Sequence, residues 1–180
     1  MAKSIIQRQT VDLSAYPDLV AIYPGMRVNK LRGVATLMKF GPKISAAVDA
    51  KPDGLLLHEN ILYSLFPPHA GMRQYWRDFS SLEAWARSLP HQDWWARFVR
   101  DSGGTGFWHE TYFKRGGMEA IYDDIFVPLG LSAFAEVVPA RGAMFSARRR
   151  AGVPGETQTS PAVSEAEIDV NASAETGKQA

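Results

Sequence analysis

Apolar residues recur along the first 140 positions with two periods, and the places where one gives way to the other mark out the elements. Asp18-Leu-Val-Ala-Ile-Tyr23 is a short run of strand formers and predicts a strand stopped by Pro24-Gly25. From Leu31 the apolar positions fall at Leu31, Val34, Leu37, Met38, Ile44 and Val48, a helical spacing that Pro42 is expected to break or kink. Pro52-Asp53-Gly54 is a turn signal, and Leu55 to Tyr63 after it reads as a strand. Pro67 to Gly71 reads as a loop, and Met72 to Arg77 alternates as a strand does. In Ser80-Ser81-Leu82-Glu83 a serine precedes a glutamate by three, the capping-box signature of a helix start. The stripe expected to be buried there is Leu82, Trp85, Ala86 and Leu89; Pro90 separates it from a second segment with Trp94, Trp95, Phe98 and Val99. Ser102-Gly103-Gly104 ends the helix. Thr105 to Phe113, TGFWHETYF, predicts a strand, Lys114 to Gly117 a tight turn, and Met118 to Tyr122 its hairpin partner.

This order gives a βαββαβ unit: an α+β fold of the ferredoxin-like plan, an antiparallel sheet with its helices on one face. In TGFWHETYF both faces are apolar, since Phe107, His109, Thr111 and Phe113 alternate with Trp108, Glu110 and Tyr112. The face away from the helices therefore needs a cover, and a second copy of the chain, in a homodimer, is the economical one.

Composition narrows the classes. With 46% hydrophobic and 22% charged residues the chain is globular, and no apolar run approaches the roughly 20 residues needed to cross a bilayer. The first residues lack the apolar segment of a secretory signal, so a cytoplasmic location is the expectation, with neither membrane nor nucleic acid as partner. The absence of cysteine excludes disulfides, a thiolate nucleophile and Cys-ligated metal. The net charge of +1 conceals a split: residues 151–180 hold five acids and one lysine, a net −4, which leaves +5 on residues 1–150. Residues 151–180 also lack aromatics, and they read as a disordered acidic tail on a single domain, 1–150. Arg148-Arg149-Arg150 and the basic cluster Arg27, Lys30, Arg32, Lys39 and Lys43 read as solvated surface.

Two histidines carry the candidate chemistry. Neighbours on a strand point to opposite faces, so His109 and Glu110 cannot form a simple dyad. His109 shares its face with Phe107 and Phe113, where an imidazole can shuttle a proton or orient a ligand; the bland alternative is a core histidine held by a backbone carbonyl. Glu110 reads as an interface or sheet-pairing residue. His91 opens the segment with Trp94 and Trp95, where it is either a ligand for a haem iron or an exposed helix-start histidine. The histidines at 58, 69, 91 and 109 lack zinc-site spacing, so no metal site is expected. Ser102 to Gly106 has the composition of a phosphate loop but lies between a helix and a strand, the reverse of the order nucleotide loops need.

Several segments resemble a known family in order and wording: Gly25-Met26-Arg27-Val28-Asn29, Gln74-Tyr75-Trp76-Arg77, Leu82 to Arg87, His91 with Trp95-Ala96-Arg97-Phe98, Trp108-His109-Glu110-Thr111-Tyr112, Glu119-Ala120-Ile121-Tyr122, and then Gly130-Leu131. The chain is similar to a monooxygenase family whose namesake belongs to a fungal terpenoid pathway and whose fold is a dimeric α/β barrel. It departs from that family in having Asp123-Asp124-Ile125 where an asparagine usually follows the Glu119 to Tyr122 motif. The resemblance implies an oxidoreductase acting on an apolar or aromatic small molecule between helices and sheet, with His109 catalytic and Tyr75, Trp76, Trp85, Trp95 and Phe107 lining the pocket. More distantly the chain resembles the aldoxime dehydratases, which implies a haem-dependent lyase or other haem protein with His91 as axial ligand and His109 assisting. A dimer that binds a small apolar organic ligand without turnover is the remaining alternative.

Overall fold

The computed structural model describes residues 6–123, 125, 127–155 and 165–166. In chain order the elements are β1 (Arg8–Asp12), β2 (Val20–Val28), α1 (Gly33–Asp49), β3 (Leu55–Ser64), β4 (His69–Trp76), α2 (Phe79–Ala86), α3 (His91–Arg100), β5 (Thr105–Phe113), β6 (Tyr122–Asp123), β7 (Glu136–Pro139) and α4 (Ala147–Arg150). Their contacts divide the chain into two compact units, Tyr16–Lys114 and Met1–Ala15 with Arg115–Ala180. Most of the stretch read as a disordered tail, 156–164 and 167–180, lies outside the described residues. No helix among the described residues is long and apolar enough to cross a membrane.

The unit Tyr16–Lys114 is the predicted ferredoxin-like plan: a four-stranded antiparallel sheet in the order β3-β4-β2-β5, with α1 between β2 and β3 and the pair α2–α3 between β4 and β5. β5 covers the whole of TGFWHETYF. Where the elements begin and end differs from expectation in five places. β2 does not stop at Pro24-Gly25 but runs through both to Val28, in unbroken register with β5 from Val20↔Phe113 to Val28↔Thr105. A partner strand on each side holds the extended backbone that proline favours anyway. α1 likewise runs through Pro42; the missing N–H would have served Met38, and that residue is exposed, so water can take its carbonyl. β4 starts at His69, inside the predicted loop. α2 is capped not by a serine but by Asp78, whose carboxylate accepts from the Ser81 N–H at 2.7 Å. That helix ends at Ala86, so Leu89, placed in the buried stripe by its spacing, is exposed instead.

Packing between sheet and helices is tightest at one end. Val20 and Trp76, opposite each other on the two central strands, are both 0% exposed and pack with Leu82 of α2, flanked by Ile22, Leu55 and Trp85. Toward the middle of the same face the cover loosens: Ile22, Pro24 and Met72 are only half-buried although they also lie on the central strands. The Ser102–Gly106 stretch is the turn the sequence predicts, with Gly103 and Gly104 at φ of 61° and 86° and the Gly104 carbonyl accepting from the Asn29 and Lys30 N–H groups.

The other unit holds a three-stranded sheet, β6-β1-β7, antiparallel throughout. The segment expected to pair with β5 as a hairpin does not do so. Its end, Tyr122–Asp123, pairs instead with Gln9 and Arg8, where Arg8 and Asp123 also form a two-point ion pair at 2.8 Å. Thr10, 1% exposed, donates to the Ala120 carbonyl at 2.7 Å and fixes the same segment.

Candidate functional site

Strand register assigns each candidate residue to a face. His58, Gln74, Ile22 and Thr111 lie opposite one another across the four strands, as do Asn60, Met72, Pro24 and His109 in the next row. Trp76, Phe107 and Phe113 share this face, and helix residues meet it: Trp85 lies 5.4 Å from Trp76, Trp95 5.6 Å from Phe107, and Phe79 5.3 Å from Phe113, centroid to centroid. It is therefore the helix face.

His109 stands on this face as an exposed side chain, 5.9 Å from the Phe107 ring. It makes no hydrogen bond to another described residue, so the bland reading of a core histidine satisfied by a backbone carbonyl does not describe it. Around it the aromatic wall is continuous: Phe107 touches both Trp95 and Phe98, which stack on each other at 5.8 Å. Four of the five predicted lining residues, Trp76, Trp85, Trp95 and Phe107, belong to this side. Tyr75 does not. It alternates with Trp76 and faces the other way, buried, with the Arg73 guanidinium 5.5 Å from its ring centroid.

His91 is not an exposed helix-start residue either. Its ring is half-buried between Trp85, at 4.8 Å, and Trp94, at 6.0 Å, and its Nδ1 is buried with no hydrogen-bond partner among the described residues. Burial pushes the imidazole below its free value, opposed by a hydrogen bond to the Ala86 backbone. A buried ring nitrogen without a hydrogen-bond partner is the feature of His91 that a ligand role would account for.

A second polar group on the helix face was not picked out from sequence. Gln74, 1% exposed, is bonded on one side to the Trp76 indole, 3.2 Å, and on the other to His58 Nδ1, 3.1 Å. His58 Nε2 lies 3.3 Å from Asn60 Oδ1. Burial again lowers the imidazole's proton affinity, with the Asn60 bond opposing it. The signal was present in LLLHENILYS, where period-2 alternation puts His58 and Asn60 on one face; the link to Gln74 depends on pairing with β4 and is not visible locally.

The opposite face carries a different set. Trp108 donates from Nε1 to His69 Nε2 at 2.8 Å, and Tyr63 stacks on His69 at 4.7 Å. Glu110 accepts from the Tyr112 hydroxyl, and both are exposed. The structure thus keeps His109 and Glu110 apart, as alternation requires.

Among solved structures, the chain is similar to an aldoxime dehydratase in complex with butyraldoxime, with a TM-score of 0.59 and 22% identity over 74% of this chain and 38% of that one. A second aldoxime dehydratase gives a TM-score of 0.58 and 19% identity over 73% of this chain and 39% of that one. The chain thus spans about two fifths of the length of these proteins, and at such identity the likeness is one of fold. A cofactor-independent oxygenase from Streptomyces nogalater matches more loosely, with a TM-score of 0.42 and 12% identity over 53% of this chain and 91% of that one. No curated protein matches in sequence. The family described as monooxygenase af470-like matches residues 19–131, the span that contains the whole four-stranded sheet, and the chain belongs to that family.

Proposed function

We propose that the protein is a monooxygenase-like oxidoreductase whose substrate, an apolar or aromatic small molecule, lies between the helices and the helix face of the larger sheet. The observation that carries this reading is His109: an exposed imidazole with no hydrogen-bond partner among the described residues, set beside the aromatic wall of Phe107, Trp95 and Phe98. The wall binds the apolar body. His109 takes a proton from an acidic O–H or C–H of the substrate and leaves an electron-rich anion open to oxidation by molecular oxygen, the co-substrate. Family membership supports the reaction class. The test is a thermal-shift screen of apolar and aromatic compounds, followed by oxygen-consumption measurements on those that bind. His109→Ala is expected to retain binding and lose turnover about 100-fold or more, the usual range for removing a general base. Hits that bind without turnover in the wild type would show a binding protein instead.

A second reading is favoured by the unpaired Nδ1 of His91. Haem would be held from α3 by that residue, with Trp85 and Trp94 against the ring edges of the histidine. Bound iron would supply a Lewis-acidic and redox-active centre, and His109 would be the chain's own proton-handling group. Titration with hemin separates the two readings: a Soret band that forms with the wild type and is lost in His91→Ala supports haem, and no band with either discards it.

The same reading takes the protein as a homodimer through the face that bears Tyr112 and Glu110. Both residues are exposed, and the similar aldoxime dehydratases are more than twice as long. Light scattering of the purified protein tests it, with Tyr112→Lys expected to shift the population to monomer.

A further inference from the structure

On the helix face, four side chains form a hydrogen-bonded chain whose donors all run one way. An indole N–H only donates, so the Gln74 atom 3.2 Å from Trp76 Nε1 is the amide oxygen. The amide nitrogen is then left for His58 Nδ1 at 3.1 Å, and because it too only donates, that ring nitrogen must accept. A neutral imidazole accepting at Nδ1 carries its proton on Nε2, which faces Asn60 Oδ1 at 3.3 Å. Burial, which disfavours the imidazolium, keeps the ring in this neutral form. With its oxygen occupied, Asn60 is left with its two amide hydrogens as the open end of the chain, on an exposed residue. Each bond polarises the next, so the terminal donor is stronger than an isolated amide.

Asn60 and His109 occupy opposite ends of one row, with Met72 and Pro24 as the floor between them. Three strand spacings separate their backbones, about 14 Å. No charged side chain lies in the row. Pro24 and Met72 are half-buried on the central strands, while Val20 and Trp76 farther along the same strands are 0% exposed, so the space above the row is not filled by side chains as it is at the closed end.

We propose that Asn60, held by the Trp76–Gln74–His58 chain, is a second recognition point of the helix-face site, donating to the carbonyl oxygen of an elongated, uncharged, apolar substrate whose other end lies at His109. The inference rests on the helix face being a ligand site and adds the substrate class. Every member of the chain is neutral, which suits a carbonyl and would not offset the desolvation of a carboxylate or phosphate. After allowance for the two side chains, the row accommodates a molecule of roughly 7 to 9 Å between its ends, two or three fused rings rather than one.

Two probes of one shape test this: 2-acetylanthracene, which carries the carbonyl, and 2-ethylanthracene, which does not, each titrated by quenching of tryptophan fluorescence. The wild type is expected to bind the ketone about tenfold more tightly, the value of one good hydrogen bond. Asn60→Leu and Asn60→Asp, changes at an exposed position, are expected to erase that preference by weakening the ketone alone. Equal binding of the two probes by the wild type, or a preference that survives both substitutions, overturns the recognition role of Asn60 and leaves the site itself standing. Binding of neither probe, together with no hit in the thermal-shift screen, overturns the site and this proposal with it. Nitrogen-15 spectra give a reading independent of ligand: a His58 proton on Nε2 supports the chain of donors, and a proton on Nδ1 overturns it.

Discussion

Gln74 is a fully enclosed amide with both ends committed, and its replacement has a definite cost. Gln74→Leu keeps the volume roughly but leaves the Trp76 indole N–H and His58 Nδ1 without their partner. Each orphaned group costs about 1–3 kcal/mol, so a loss of about 2–6 kcal/mol is expected in chemical denaturation. His58 and His91 give a pH dependence with the same origin. Burial holds both below the free value of 6.5, so near and below that pH the unfolded chain binds protons that the native protein does not. Their neutral forms cost nothing above 6.5; as the pH falls below it, stability is lost down to the native values. Melting temperature is expected to fall between about pH 7.5 and 5.5, and to fall less in His58→Gln and His91→Gln. At this scale the sequence was informative about identity and poor about surroundings. His109 and His91 stand out by their aromatic neighbours along the chain, whereas what makes His58 notable is a residue 16 positions away on the next strand.

Strands and helices owe their limits to single contacts that propensity does not reveal. Asp78→Ala is expected to cost about 1 kcal/mol by removing the cap on the Ser81 N–H, while Ser80→Ala, at the position the capping-box pattern marks, should change stability by less than about 0.5 kcal/mol. Denaturation of the two variants decides which residue starts the helix. The central strands supply a second contrast. A Cβ on Gly25 would stand 2.6 Å from the Trp108 indole nitrogen, and one on Gly71 would stand 2.4 Å from the Pro24 carbonyl oxygen. The indole can swing aside and give up its bond to His69; the backbone of a central strand cannot. Gly71→Ala should therefore destabilise more than Gly25→Ala, by about 1–3 kcal/mol or more against less than that, as measured by urea unfolding. TGFWHETYF was fully legible because alternation alone specifies a strand. Pro24 and Pro42 were misleading as terminators for different reasons: a strand on each side holds the backbone at Pro24, while at Pro42 the carbonyl left without its N–H belongs to exposed Met38 and can be hydrated.

For the molecule as a whole, the βαββαβ order was readable because each of its pairings follows a turn or helix that the sequence marks. The small sheet was not, because β1 pairs with residues 113 and more positions away, and strands of two to five residues carry too little alternation to declare themselves. That long-range closure also bears on how the chain is to be handled: cutting after Lys114 removes the partners of β1, whereas the unit Tyr16–Lys114 keeps all four strands of its own sheet. Glu165, one of the two described residues beyond Gly155, accepts from the Gly142 N–H at 2.8 and 3.0 Å, and Glu165→Ala, which removes that exposed contact, should lower the melting temperature by less than about 4 °C.

The helix face is closed where Val20 meets Trp76 and open where Pro24 meets Met72, on the same pair of strands. Under the proposed function, rigidity and choice of guest fall to different rungs of one ladder. Met72 and Thr111 can be varied together as a small combinatorial library without touching the rung that keeps the ladder folded, whereas Ile22, which packs on that rung, is to be left in place.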